Sequence, residues 1–157
     1  MALELDEITG ITIDTSLDIH RTLGPGLLES VYQTVVPRAL ARRGLRVEAN
    51  RAIPFEYDGL HFDQGLRVDL LVEGQVVVEL KSIEKLAPVH HKQVLTYLRL
   101  LDLRVGLLIN FGAATLKEGL HRIVNGYVPS GSSKLLINKS ALELTPLASD
   151  EPIVSTE

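Results

Sequence analysis

Cysteine is absent from the 157 residues, which removes disulfides, a thiol nucleophile, zinc–thiolate centres and a cysteine-ligated iron–sulfur cluster from consideration. No apolar run reaches the ~18 residues that a membrane-spanning helix needs. The opening "MALELDEI" has neither the basic nor the apolar region of a secretory leader,. The expectation is a cytoplasmic protein with no membrane partner. Positive charge is also in short supply, with a formal net charge of −4, which is a poor start for gripping a polyanion. Gly24 and Gly26 flank a proline with no strand before them, so they do not make a phosphate-cradling loop,. Ser16, Ser30 and Ser82 lack the strand–turn–helix setting of a nucleophile elbow, which argues against a serine hydrolase,. There is no internal repeat.

What is present is enough for one domain with a proper core: 157 residues, 45% of them apolar,. The charge is unevenly spread. Residues 1–19 hold five acids and no Lys or Arg, and residues 128–157 hold four acids and two lysines. The middle, 20–127, therefore carries 14 basic and 11 acidic side chains. Arg38, Arg42, Arg43, Arg46 and Arg51 cluster there, opposed within the segment only by Glu48. Such a cluster is either a solvated helix end or a phosphate-facing patch.

Hydrophobic spacing predicts an amphipathic helix over 5–22, from Ile8, Ile11, Ile19 and Leu23, although its threonines and β-branched residues weaken the helical signal,. After the breaker Gly24-Pro25-Gly26, a second helix is predicted from about Leu27 to Arg43, stopped by Gly44 and kinked at Pro37,. From Leu45 the pattern becomes that of strands: a long or broken one ending in a turn at Asp58-Gly59, a second over 61–72 and a third over 75–82,. "PVHHKQVLTYLRLLD" reads as a helix with Val94, Leu95, Leu98 and Leu101 inward, and "VGLLINF" as a strand buried on both faces,. A short strand over 118–125 follows. Past Val128, Ser, Pro, Thr and acids take over, so residues 1–127 are expected to form the domain and 128–157 a loose or separately docked tail,. The order α-α-β-β-β-α-β points to an α/β protein with a mixed sheet flanked by helices.

The stretch "RVDLLVEGQVVVELKS" carries three charges among Leu and Val. Side-chain alternation puts Val68, Leu70 and Val72 on one face of its first strand, and Arg67, Asp69 and Leu71 on the other. On the next strand Val76, Val78 and Leu80 oppose Val77, Glu79 and Lys81. A three-residue loop, Glu73-Gly74-Gln75, makes the apolar faces coincide, whereas a two-residue turn slips the register and sets Leu and Val against charge. The odd loop is therefore expected, with Asp69 beside Glu79. Like charges so close raise one pKa unless a cation intervenes, and a hard divalent ion such as Mg2+ suits carboxylate oxygens. Lys81, two residues beyond Glu79, is placed to touch a scissile phosphate or the attacking water. Taken alone, D…ExK also reads as a solvent-facing acidic pair neutralised by lysine.

Other motifs stand at both ends of this one. Upstream, "GLLESVY" spells G-x-x-E-x-x-Y at Gly26, Glu29 and Tyr32; downstream, Gln93 and Tyr97 share a helix face in "QVLTYL",. With "VVVELK" and "GLLINF" in this order, the chain resembles the PD-(D/E)XK nuclease superfamily and, within it, the GxxExxY protein family, over roughly residues 5–125. Val68 stands where the superfamily's name has proline. The resemblance implies a restriction-endonuclease-like αβββαβ core with the helix over 5–22 added in front. It implies metal ligands at Asp69, Glu79, the Leu80 carbonyl and Glu29, and a catalytic lysine at Lys81. Gln93 and Tyr97 would support the site or the bound strand. The cofactor would be Mg2+ or Mn2+ and the partner a nucleic acid, DNA before RNA, in a protein able to self-associate. The implied activity is phosphodiester hydrolysis. The alternative is a catalytically silent module that binds nucleic acid or protein on the same fold.

The histidines add little. Adjacent His90 and His91 at a helix start point in different directions and cannot chelate one ion, which leaves a cap or surface role or a phosphate contact. His20, His61 and His121 have no partner at metal-ligand spacing. Tyr32 reads as packing. Arg67 is either the ion-pair partner of Asp69 or a phosphate contact.

Overall fold

The structure, a computed structural model, describes residues 2–126 and 135–137. Its first helix, α1 (Leu5–Leu23), buries Ile8 and Ile19 as the spacing requires and packs Ile11 partly buried beside them, but Leu23 is exposed and the other buried residues are polar. Thr9, Thr12, Thr15 and Ser16 are buried, and each hydroxyl donates to the carbonyl four residues back at 2.6–3.0 Å. Buried hydroxyls satisfied within their own helix carry little desolvation cost, so the threonines are compatible with a helix packed on the core.

Helix α2 (Glu29–Arg42) runs through Pro37 as one continuous helix. It ends in a Schellman arrangement: Gly44 N–H donates to Ala41 O and Leu45 N–H to Leu40 O, with Gly44 at φ +87°,. Strands β1 (Val47–Tyr57) and β2 (Leu60–Val72) form a long antiparallel hairpin, turned at Asp58-Gly59. Its register shifts between Ile53 and Phe55, where Pro54, with no N–H to give, faces three residues of β2 (63–65); the irregularity bulges β2, and β1 runs on as one long strand,. Strand β3 (Val76–Lys81), helix α3 (Pro88–Leu101) and strand β4 (Val105–Asn110) follow, then one turn of helix, α4 (Leu116–Gly119), and β5 (Leu120–Val124). A three-residue strand, β6 (Leu135–Ile137), pairs with β1. The expected tail over 128–157 otherwise lies outside the described residues.

The sheet order is β5-β4-β3-β2-β1-β6, parallel between β3 and β4 and antiparallel elsewhere. Helices α1 and α2 pack on one face over Leu70, Val72, Val76, Val78, Leu80, Leu107 and Ile109. Helix α3 covers the other over Leu71, Val77 and Leu108. Every residue of β4 is buried, as a strand between two helical layers demands,. One facing differs from expectation. Val68 packs with Leu66 and Leu71 on the α3 side instead of with Leu70 and Val72. The switch falls at Asp69, where the β1–β2 ladder skips a pair opposite Asn50, whose φ is +52°.

The exit from β3 is clamped by Asn110, a buried residue at the end of β4. Its Oδ1 accepts from Ile83 N–H and Gly112 N–H, each at 3.0 Å, and its Nδ2 donates to Ile83 O at 2.9 Å. Replacing it strands two donors and an acceptor. At about 1 kcal/mol per bond, Asn110→Ala is expected to cost ~2–3 kcal/mol and to lower the melting temperature by roughly 5–10 °C, read by circular dichroism.

Candidate active site

The loop joining β2 to β3 is Glu73-Gly74-Gln75, the odd loop, and the ladder runs Val72↔Val76, Leu71↔Val77, Leu70↔Val78. Glu73 anchors it by accepting Arg46 N–H at 2.7 Å. After Leu70↔Val78 the strands part. In register the next residues are Asp69 and Glu79, and there the side chains take over from the ladder. Asp69 N–H donates to Glu79 Oε1 at 3.1 Å, and Leu80 N–H donates to Asp69 Oδ2 at 2.9 Å. The N–H and C=O of one strand residue point to the same edge, so the Leu80 carbonyl faces this fork as well.

Burial makes the pair electrostatically costly. Glu79 is 3% exposed and Asp69 half-buried. Burial, and then the Asp69 charge, push the Glu79 carboxyl up to about 8. Burial likewise raises Asp69, against the opposing pull of the Leu80 N–H and the Lys81 ammonium. Lys81 ends β3 and acts on both carboxylates, though its charge does not cancel the cost of desolvation,.

The other expected residues arrive from both helical layers. Glu29 is the first residue of α2, and the approach to that helix is tied to the end of β3 by Ser82 Oγ donating to Leu27 O at 2.5 Å. Glu29 reaches Asp69 through an intermediary. Gln33, one turn along α2, donates from Nε2 to Glu29 Oε1 and to Asp69 Oδ1, both at 3.2 Å. Gln33 escaped the sequence reading; its only signal was its i+4 spacing from Glu29. On the α3 side, Gln93 Nε2 donates to Tyr97 Oη at 2.7 Å. The Tyr97 phenol is raised by burial and then by the charge of Glu79, which places it within that carboxylate's field. Arg67 does not turn to Asp69: its guanidinium donates to Asn50 O at 2.8 Å and to Gln64 Oε1 at 3.2 Å.

The histidines stand apart from this fork. His90 Nδ1 accepts Ala87 N–H at 2.9 Å and so caps α3, while His91 sits edge-on to His121 with ring centroids 4.7 Å apart. Tyr32 is buried, stacked on Phe111 at 4.3 Å, and donates to Gly24 O. The arginine cluster is more neutralised than its own segment suggested: besides the local pair of Arg51 with Glu48, Arg43 pairs with Asp18 and Arg46 with Glu73 from elsewhere in the chain.

Among the described residues no three His, Cys, Asp or Glu side chains converge on one metal-sized point. The fork offers two carboxylates and a main-chain carbonyl, with Glu29 held one amide away. That donor set fits an Mg2+-like ion, which is held by one or two carboxylates and keeps several waters.

The raised Glu79 pKa fixes the sign of a pH dependence. Between the ordinary carboxylate range and about 8 the folded metal-free protein holds a proton that the unfolded chain has released. Stability is therefore lost as pH rises through that window. Glu79→Gln should melt higher than the wild type at pH 8, by roughly 5 °C if ~1–2 kcal/mol of the burial penalty is relieved. The two proteins should converge near pH 4.5. Melting curves across pH in the presence of a chelator test this; a wild type whose stability rises from pH 5 to 8 contradicts it.

No curated protein and no solved structure matches the chain significantly. The family model described as PD-(D/E)XK nuclease superfamily matches residues 6–123, about three-quarters of the length, from the first turn of α1 into β5. Nucleases of this group are generally dependent on divalent metals. The matched span contains the whole mixed sheet up to β5, with its added first helix and its parting strands, so the chain belongs to the PD-(D/E)XK nuclease superfamily and has a restriction-endonuclease-like α/β fold.

Proposed function

We propose that this protein is a metal-dependent nuclease that hydrolyses phosphodiester bonds of a nucleic acid, with Mg2+ or Mn2+ held by Asp69, Glu79 and the Leu80 carbonyl. The observation that carries the reading is the fork: two carboxylates, one deeply buried, are set side by side and relieved only in part by a lysine. A divalent ion bound there would supply Lewis acidity at the phosphoryl oxygen and a more acidic water. The chain's own groups do the rest. Asp69 and Glu79 are fixed by their bonds to main-chain N–H groups. Lys81 stabilises negative charge on the phosphoryl oxygens and orients the attacking water. Glu29 would hold a water of that ion or a second ion, and Gln93 with Tyr97 lines the approach from α3.

The GxxExxY assignment is part of the same proposal. Its support is that each motif position has a physical task here: Gly26 adopts φ +99° in the turn before α2, Glu29 opens the helix toward the fork, and Tyr32 packs on Phe111. In this reading the polymer is DNA before RNA, the setting is the cytoplasm, and copies of the chain self-associate.

Calorimetry with Mg2+ and Mn2+, beside a panel of labelled single- and double-stranded DNA and RNA, is the deciding experiment. The wild type should bind the ion and cleave a member of the panel, and Asp69→Ala with Glu79→Ala should lose both. Lys81→Met should keep ion binding while cleavage falls ~10²–10³-fold, the usual cost of deleting a charge-stabilising group. Ion binding without cleavage of any substrate would favour the silent binding module, and ion binding untouched by the double substitution would refute the site.

A further inference from the structure

The Gln33 amide touches a carboxylate on each of two elements. Its single nitrogen, Nε2, is 3.2 Å from Glu29 Oε1 on α2 and 3.2 Å from Asp69 Oδ1 on β2. An NH2 group has two hydrogens, so each carboxylate receives one. Asp69 is then held from both ends, with Oδ1 on Gln33 and Oδ2 on the Leu80 N–H at 2.9 Å. Two donors on separate oxygens fix the plane of a carboxylate; either donor alone leaves it free to turn about Cβ–Cγ. Gln33 also lines a polar cleft of about 290 Å³ with Ser30, Thr34, Ala49 and Asn50, which opens onto Asp69 from the α2 side.

Resting on the metal-dependent reading above, we propose that Gln33 is a positioning residue for the metal site, setting the plane of Asp69 and holding Glu29 one hydrogen bond from it. An uncharged donor is well suited to the task. A lysine at this position would compete with the incoming cation, and a carboxylate would add a third negative charge to the metal-free fork. A neutral amide screens the two carboxylates from each other and still leaves them their full charge for the ion. Groups that orient metal ligands commonly account for ~10–100-fold of affinity.

The test is Gln33→Met, which keeps length and bulk but cannot donate. Mn2+ affinity by calorimetry should weaken about tenfold, with the melting temperature of the metal-free protein within ~3 °C of the wild type. In the wild type, the side-chain amide resonances of Gln33 should shift on titration with Mg2+, a response that packing alone does not give. Gln33→Met binding Mn2+ as tightly as the wild type, or amide resonances that stay put in saturating Mg2+, overturns the inference and leaves the nuclease reading standing. A wild type that binds no ion overturns both. For a variant that melts much lower, the wild-type resonance titration decides alone.

Discussion

Two backbone N–H groups, those of Asp69 and Leu80, bond to carboxylates where a sheet would ordinarily supply a neighbouring strand. Buried backbone donors must be satisfied, and a ladder that continued past Leu70↔Val78 would satisfy them without calling on a side chain. Handing them to Asp69 and Glu79 lets β2 and β3 part, and the parting is what gives the protein a site. The arrangement costs stability, since a carboxyl 3% exposed holds its proton up to about 8. Such a conflict persists only where the surrounding structure over-determines it.

Much of the rest of the molecule supplies that over-determination. Asn110 closes the chain after Lys81 with two bonds to Ile83, and Ser82 ties the same segment to the approach of α2. Tyr32 and Phe111, stacked at 4.3 Å, lock α2 to the end of β4. The threonine face of α1 fills the outer layer with hydroxyls that donate inside their own helix, and the Thr9 hydroxyl also accepts from Arg122 of β5. The Asn110, Ser82 and Tyr32 contacts gather their elements around the end of β3, where Lys81 lies.

The element order and the β2–β3 register were legible because one face of each strand is apolar and a one-residue slip would have buried charge. Asp69 opposite Glu79 follows from that pattern and a three-residue loop. What the pattern could not carry was anything settled by a single backbone torsion or by a distant partner. Asn50 at φ +52° interrupts the β1–β2 ladder and sends Val68 to the other face, against strict alternation. Gln33 was invisible because a glutamine on the half-exposed side of a helix looks like solvent-facing surface until the strand it faces is known. Asn110 was hidden inside "GLLINF", an apolar run whose one polar member clamps a loop 27 residues away in sequence.

The charge distribution shows how distant pairing changes a local reading. Along the sequence the acids gather at the ends and the arginines in the middle; in the fold, α1 brings Asp18 to Arg43 and Asp6 to Arg122, while the β2–β3 loop brings Glu73 to Arg46. Exposed pairs of this kind add only ~0–1 kcal/mol of stability each, so their main effect is to flatten the surface potential. A flattened patch offers few counterion-releasing contacts with a phosphate backbone. On the nuclease reading, part of the attraction for substrate would then come from the fork itself, where Lys81 and a bound divalent ion would add positive charge. The same ion would relieve the repulsion between Asp69 and Glu79, so occupancy of the site and affinity for a polyanion would rise together. In that reading the buried carboxylates, a liability to the metal-free fold, are what make the protein's hold on its substrate conditional on the metal.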